Sequence, residues 1–113
     1  MDLLITAKNF VCPSLFMADE LGKKGGKTWV YQFNRVRDDK SAKRYGAFHG
    51  AELPYVFDTH DEWLPTNEKD RELTREIQSY WLSFAKTGNP NNDDAAVTWP
   101  EYDSYNDPTL VLD

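Results

Sequence analysis

The chain has 113 residues, of which 40% are hydrophobic and 14% aromatic, enough for one small globular domain. Its formal net charge of −6 disfavours binding to phosphate backbones, so we expect no nucleic-acid partner. Its apolar runs are far shorter than the roughly 20 residues of a membrane-spanning helix, and its amino end lacks a signal-peptide pattern. The compartment, secreted, periplasmic or cytoplasmic, stays open.

The amino-terminal region has the spacing of a helix. Its apolar positions between residues 3 and 21 are Leu4, Ala7, Val11, Leu15, Ala18 and Leu21. Pro13 predicts a kink, or a break into two shorter helices. Cys12 is the only cysteine, so it cannot form an internal disulfide or a paired zinc site, and we expect it to be a small buried apolar residue.

One segment has the composition of a strand. Residues 28–33 (TWVYQF) are bulky on both faces, as in a strand that is covered on both sides. Residues 109–112 (TLVL) are a weaker candidate, and the polar residues 34–46 are predicted to be a surface loop. Because one or two strands leave many backbone groups without partners, we expect an incomplete sheet.

The strongest helix prediction runs from about Glu68 to Thr87, with Asn67 as N-cap and Gly88 at its end. Its apolar stripe consists of Leu73, Ile77, Tyr80, Trp81 and Phe84. A short helical turn is expected at residues 52–57, irregular chain at 58–66, and a packed side chain at Trp99. One or two strands, two to three helices and long loops indicate an incomplete piece of an α/β domain.

The two histidines differ in their surroundings. His49 lies between Gly46 and Gly50, and glycines let the backbone bring a side chain close to another group. An imidazole moves protons near neutral pH, so these residues leave open both a catalytic role and an ordinary hydrogen-bonded loop histidine. His60 follows in a polar stretch and is expected to be a surface-loop residue.

Five segments occur in an order that is typical of one enzyme family. They are WVYQF at 29–33, GAFHGAELPYVF at 46–57, Tyr80 with Trp81, FAKTGNPN at 84–91, and Trp99-Pro100 with Tyr102. This order resembles the C-terminal region of type B carboxylesterases and cholinesterases, of the para-nitrobenzyl-esterase-like kind. The resemblance implies that residues 1–113 are the C-terminal piece of an α/β-hydrolase fold, cut at both ends, with the remainder of the esterase domain upstream.

The resemblance also implies a function. The family hydrolyses small-molecule carboxylic esters with a triad of Ser, Glu or Asp, and His, in that chain order and without a metal or organic cofactor. His49 would be the catalytic histidine, with Gly50 and Glu52 in supporting roles. Phe48 and Tyr45 would either line a substrate pocket or simply pack the loop.

The chain departs from the family pattern in one respect. It has no Gly-x-Ser-x-Gly nucleophile elbow, no oxyanion glycine run and no convincing triad acid, all of which lie upstream in the family. Four of its five serines, Ser14, Ser41, Ser79 and Ser83, are expected to be structural or solvent-facing. We therefore expect the 113 residues alone to be inactive. The alternatives are a non-catalytic cholinesterase-like interaction domain, a gene remnant, and an independently folded small protein.

Overall fold

The structure, a computed structural model, describes residues 3–63 and 65–113. Two compact units follow from the contacts between Cα atoms. The first comprises the described residues up to Gln32 together with Trp99–Val111, and the second comprises Phe33–Thr98 with Leu112–Asp113. No helix in the described ranges is long and apolar enough to cross a membrane.

The first unit opens with a helical run that continues past Pro13. Helix α1 (Leu3–Thr6) leads into a π-helical segment (Ala7–Val11), and helix α2 (Cys12–Lys23) follows. Pro13 lies in the first turn of α2, where a missing N–H does least harm. The wider π-helical turn before it, with its i to i+5 hydrogen bonds, replaces the predicted break.

The apolar stripe predicted for this run is mostly uncovered within the described residues. Only Ala18 is buried, while Leu4, Val11 and Leu21 are exposed. Cys12 is exposed as well, so its predicted burial is wrong. The helical spacing was correct, but spacing alone does not say what covers the face that it creates.

Two strands form the sheet. Strand β1 (Val30–Phe33) and strand β2 (Thr109–Leu112) pair in parallel, and the carbonyl of Leu112 accepts the backbone N–H groups of Asn34 at 2.8 Å and Arg35 at 3.2 Å. Both predicted strands are confirmed. The expected cover on both faces of β1 is only partial, because its residues are half-buried or exposed.

Trp99 packs as predicted. Its side chain is buried, its Nε1 donates to the carbonyl of Val30 at 3.0 Å, and its ring meets that of Tyr31 edge-on. The backbone N–H of Tyr102 donates to the carbonyl of Thr28 at 2.8 Å. Within the first unit, these contacts fix the segment after Trp99 against the start of β1.

The second unit is built on three helices, α3 (Lys40–Tyr45), α4 (Leu53–Phe57) and α5 (Glu68–Thr87). Helix α3 corrects the prediction of an entirely irregular loop over residues 34–46, because Ala42 supplies a buried side chain around which one short helix can form. Helix α4 matches the expected helical turn at 52–57.

Helix α5 has the predicted bounds because its ends are specified locally. The Asn67 side chain accepts the N–H of Asp70, and the Asp70 side chain accepts the N–H of Asn67, which forms a reciprocal capping box. Gly88 ends the helix with a left-handed φ of 75°. Of the predicted stripe, Leu73, Ile77 and Tyr80 are buried, whereas Trp81 is half-buried and Phe84 is exposed.

Gly88→Ala tests whether this helix end needs glycine. A Cβ at Gly88 meets nothing within 4 Å, so the change isolates the strain of a positive φ. We expect a loss of about 1 kcal/mol in the free energy of unfolding, measured by urea denaturation. The control is Gly22→Ala, where a Cβ also meets nothing and φ is not positive; it should stabilise by about 0.5–1 kcal/mol. Equal effects of the two changes would contradict this explanation.

Candidate functional site

His49 is an exposed residue in the turn between helices α3 and α4. Glycines in the left-handed region stand on both sides of it, Gly46 with φ 64° and Gly50 with φ 85°. A Cβ at Gly50 would meet only Leu53 Cδ1, at an ordinary 3.6 Å, so the backbone angle rather than space requires glycine there. The turn thus presents the imidazole to solvent on a backbone that bends sharply next to it.

Short backbone hydrogen bonds join this turn to helix α4. The N–H of Ala51 donates to Phe48 O at 2.9 Å, and the N–H of Leu53 donates to Gly50 O at 3.1 Å. Glu52 is the N-cap of α4, and its carbonyl accepts the N–H of Tyr55 at 2.9 Å. Its side chain forms no cap hydrogen bond. Gly50 and Glu52 therefore shape the turn through their backbones, and a supporting role for the Glu52 carboxylate stays a prediction.

The two aromatic residues predicted as pocket candidates pack against each other. The rings of Tyr45 and Phe48 meet edge-on with centroids 6.5 Å apart; Tyr45 is exposed and Phe48 half-buried. Phe48 also lines a cavity of about 10 Å³ beside Arg35 and Tyr55, which has room for about one water molecule. Packing of the loop is thus visible, and a role in binding substrate stays a prediction.

A buried carboxylate lies beneath this loop. Asp70 Oδ1 accepts hydrogen bonds from Arg35 Nε and from the Tyr55 hydroxyl, each at 2.8 Å, and Oδ2 accepts the N–H of Asn67 at 2.9 Å. Arg35 also donates from Nη2 to Asp38 Oδ2 at 3.1 Å. The carboxylate therefore joins the segment that follows β1, helix α4 and the start of α5.

The charges in this cluster reinforce one another. Burial raises the pKa of Asp70, but the hydrogen bonds from Arg35, the Asn67 N–H and Tyr55 outweigh burial and hold that pKa below its usual range. Burial, followed by the bond to Asp70, raises the pKa of Tyr55 to about 12. Asp70 therefore stays ionised and Tyr55 keeps the proton that it donates.

His60 belongs to the same polar network and is not the surface residue that was predicted. Its side chain is only 10% exposed. Nδ1 lies 2.8 Å from Arg37 Nη2, and Nε2 lies 2.8 Å from Thr74 Oγ1. An arginine can only donate, so Nδ1 accepts and the ring is neutral with its proton on Nε2. Thr74 in turn donates to the backbone carbonyl of Asp70 at 2.7 Å.

Sequence reasoning missed this network for a simple reason. Arg35 and Arg37 stand in a polar stretch that was expected to be surface loop, yet both are buried. Asp70 stands in the first turn of α5, where a negative charge suits the positive end of the helix, and that place alone does not reveal its partners. The spacing of Asn67 and Asp70, which fits a capping box, was the one local signal that this aspartate has a fixed position.

Three of the serines, Ser14, Ser79 and Ser83, have structural contacts, as expected. Ser83 Oγ donates to Asn89 O at 2.9 Å, and Ser14 Oγ donates to Phe10 O. Ser79 Oγ accepts a hydrogen bond from the side-chain amide of Asn92 at 3.0 Å. The side chain of Ser41 lies outside the described residues. Within the described ranges, no three His, Cys, Asp or Glu side chains come together as metal ligands.

Comparison with known proteins identifies one family. The sequence model of the carboxylesterase family matches residues 1–113. Acetylcholinesterase 1 of Caenorhabditis elegans is 34% identical over 111 residues, which cover 92% of this chain and 18% of that protein. The para-nitrobenzyl esterase of Bacillus subtilis (strain 168) is 38% identical over 90 residues, which cover 75% of this chain and 18% of that protein.

Solved structures agree with the sequence comparison. A PNB esterase superposes with a TM-score of 0.84 at 33% identity, over 97% of this chain and 22% of that one. The carboxylesterase EST55 of Geobacillus stearothermophilus gives a TM-score of 0.79 at 28% identity, over 96% of this chain and 23% of that one. The predicted α/β class, a piece of the α/β-hydrolase fold, is thereby confirmed. The chain spans about a fifth of the length of these proteins.

Asp70→Asn tests the buried ion pair. Removing the charge leaves the buried guanidinium of Arg35 without its buried partner, which typically costs about 3–5 kcal/mol. We expect a loss of that size in the free energy of unfolding, measured in urea. The control is Glu68→Gln on the same helix, which removes the ion pair of two exposed side chains, Glu68 and Arg75, and should change stability little. Similar losses in the free energy of unfolding for both variants would contradict a stabilising role of the buried ion pair between Arg35 and Asp70.

Stability should also depend on the protonation of His60. Burial first, and then the positive charge of Arg37, lowers the pKa of His60 in the fold. The unfolded chain therefore takes up this proton first, near pH 6.5, and stability falls as the pH drops below that value. Between pH 7.5 and 5.5 we expect the free energy of unfolding to decrease. His60→Gln should flatten this dependence, and an unchanged slope in that variant would refute the role of His60.

Proposed function

Because this chain belongs to the carboxylesterase family, we propose that the protein containing it hydrolyses carboxylic esters and that His49 is its catalytic histidine. We further propose that residues 1–113 are the C-terminal part of the esterase domain. Full-length relatives of the family are carboxylesterases and cholinesterases.

The observation that carries this proposal is the setting of His49. It is the exposed histidine of the chain, on a turn bent by Gly46 and Gly50, within a segment that matches the family motif. His60, by contrast, uses both ring nitrogens inside the fold. A general base must be reachable by a substrate, and of the two histidines His49 is the one that is exposed.

The proposed reaction is acyl transfer in two steps. His49 takes the proton of a serine hydroxyl as the serine oxygen attacks the ester carbonyl, and then gives that proton to the alkoxide that leaves. In the second step His49 takes a proton from water, which attacks the acyl-enzyme and releases the carboxylic acid. No metal ion or organic cofactor takes part in this chemistry.

The nucleophile, the acid and the oxyanion donors would come from the rest of the protein. No Gly-x-Ser-x-Gly stands in the 113 residues, so we propose that they are inactive alone. The exposed apolar side chains of the amino-terminal helical run, among them Leu4, Phe16 and Met17, support an extensive covering partner. The remainder of the esterase domain would be that partner, with a small-molecule ester as substrate.

The competing function is a cholinesterase-like interaction domain without catalysis. Such a domain has no need for a histidine at the exposed end of a glycine-flanked turn, and the retained His49 with Gly46 and Gly50 favours the enzyme. The two functions differ in what the rest of the coding sequence must contain. An esterase requires a serine elbow upstream of these residues, whereas an interaction domain does not.

The test uses the whole reading frame that contains these residues. If it encodes a Gly-x-Ser-x-Gly elbow upstream, its product should hydrolyse a chromogenic para-nitrophenyl ester. His49→Gln should then lower kcat by at least about 10³-fold, since the general base serves both steps. The Tm, followed by circular dichroism, should change little because His49 is exposed.

The 113 residues expressed alone are the control and should give no turnover above background. A frame without the elbow would overturn the proposed activity. Retention of activity in His49→Gln would overturn the assignment of His49, whatever the rest of the protein contains.

A further inference from the structure

The segment that carries His49 is fixed at two points, one before and one after the histidine. Arg35 precedes it and Tyr55 follows it, and both donate to the same oxygen, Asp70 Oδ1, at 2.8 Å. All three side chains are buried. One residue before His49 and one residue after it are therefore held by the same oxygen atom.

The contact at Tyr55 lies close to His49 along the backbone. Helix α4 begins right after the turn, and successive N–H to carbonyl bonds, Tyr55 to Glu52, Leu53 to Gly50 and Ala51 to Phe48, lead back to the histidine. These hydrogen bonds restrain the backbone between Tyr55 and His49. A displacement of Tyr55 would thus be passed to His49.

The carboxylate itself has little freedom to move. Its second oxygen accepts the N–H of Asn67, and the Asn67 side chain accepts the N–H of Asp70 in return. The guanidinium of Arg37 also lies over the Tyr55 ring, 5.3 Å from its centroid, and restricts the movement of that ring. The carboxylate of Asp70 is thus held in place, and the hydrogen bond from the Tyr55 hydroxyl fixes the tyrosine relative to it.

We propose that Asp70, acting through Tyr55, is a positioning residue that sets the location of His49 for proton transfer. The inference rests on the proposed function of His49. Asp70 does not touch the reacting atoms; it determines where the general base stands relative to the serine. Misplacing a catalytic group by about 1 Å can cost about 10²-fold in rate, so the effect should appear in kcat.

Tyr55→Phe in the full-length esterase tests this, because it removes only the hydroxyl and leaves Asp70 with its bonds from Arg35 and Asn67. Asp70→Asn is less suitable, since it can prevent folding. We expect kcat for a para-nitrophenyl ester to fall about tenfold, with KM within about twofold, at a temperature well below the Tm.

Tyr80→Phe is the matched control. Tyr80 is 0% exposed, compared with 1% for Tyr55, and its hydroxyl donates to Val97 O at 2.6 Å, a bond that does not involve the His49 segment. Both variants should lower the Tm, because each removes the hydroxyl of a buried tyrosine with its hydrogen bonds, to Asp70 from Tyr55 and to Val97 and Glu76 from Tyr80. Only Tyr55→Phe should lower kcat, so stability and positioning are separated.

His49→Gln is measured in parallel so that two failures can be told apart. If His49→Gln stays active, the proposed catalytic role of His49 is wrong. If His49→Gln is inactive but Tyr55→Phe keeps the kcat of Tyr80→Phe, His49 is catalytic and Asp70 does not position it. If His49→Gln is inactive and kcat falls in Tyr55→Phe but not in Tyr80→Phe, the inference is supported.

Discussion

The buried ion pair between Arg35 and Asp70 is the constraint on which the second unit depends. Taking both charges out of water costs several kcal/mol for each ion, so the carboxylate must be surrounded by donors. Arg35, Tyr55 and the N–H of Asn67 supply them. Each donor belongs to a different part of the chain, and satisfying one aspartate therefore brings the segment that follows β1, helix α4 and the start of α5 together.

The same aspartate connects to a second chain of donors through its backbone. Arg37 donates to His60, His60 donates to Thr74, and Thr74 donates to the carbonyl of Asp70. The direction of each bond follows from the first, because arginine has no acceptor and so fixes the tautomer of the imidazole. The two histidines of the chain are thus set apart by their surroundings, one closed into this network and the other exposed on its turn.

Local signals explain which parts of the fold could be predicted. Helix α5 was placed correctly because its capping residues, its period and Gly88 all lie within or beside it, and Trp99 stood out by its size and place in the family motif. The contact of Arg35 with Asp70 joins residues 35 positions apart, and no local pattern marks an arginine in a polar stretch as buried. The same limit explains the errors at Cys12 and His60, since burial depends on what packs against a residue.

A catalytic histidine has two requirements that conflict in most loops: it must be reachable, and it must stay in place. Exposed turns are usually mobile because few contacts hold them. Here His49 itself is exposed, while Tyr55 and Arg35, on either side of it in the sequence, are buried against the charge of Asp70. The contacts of Arg35 and Tyr55 with Asp70 lie within the second unit. They therefore restrain the loop around His49 without any contribution from the serine that His49 would activate. On the proposed role of Asp70, the position of His49 would be set within this unit, and specificity would come from residues elsewhere in the protein.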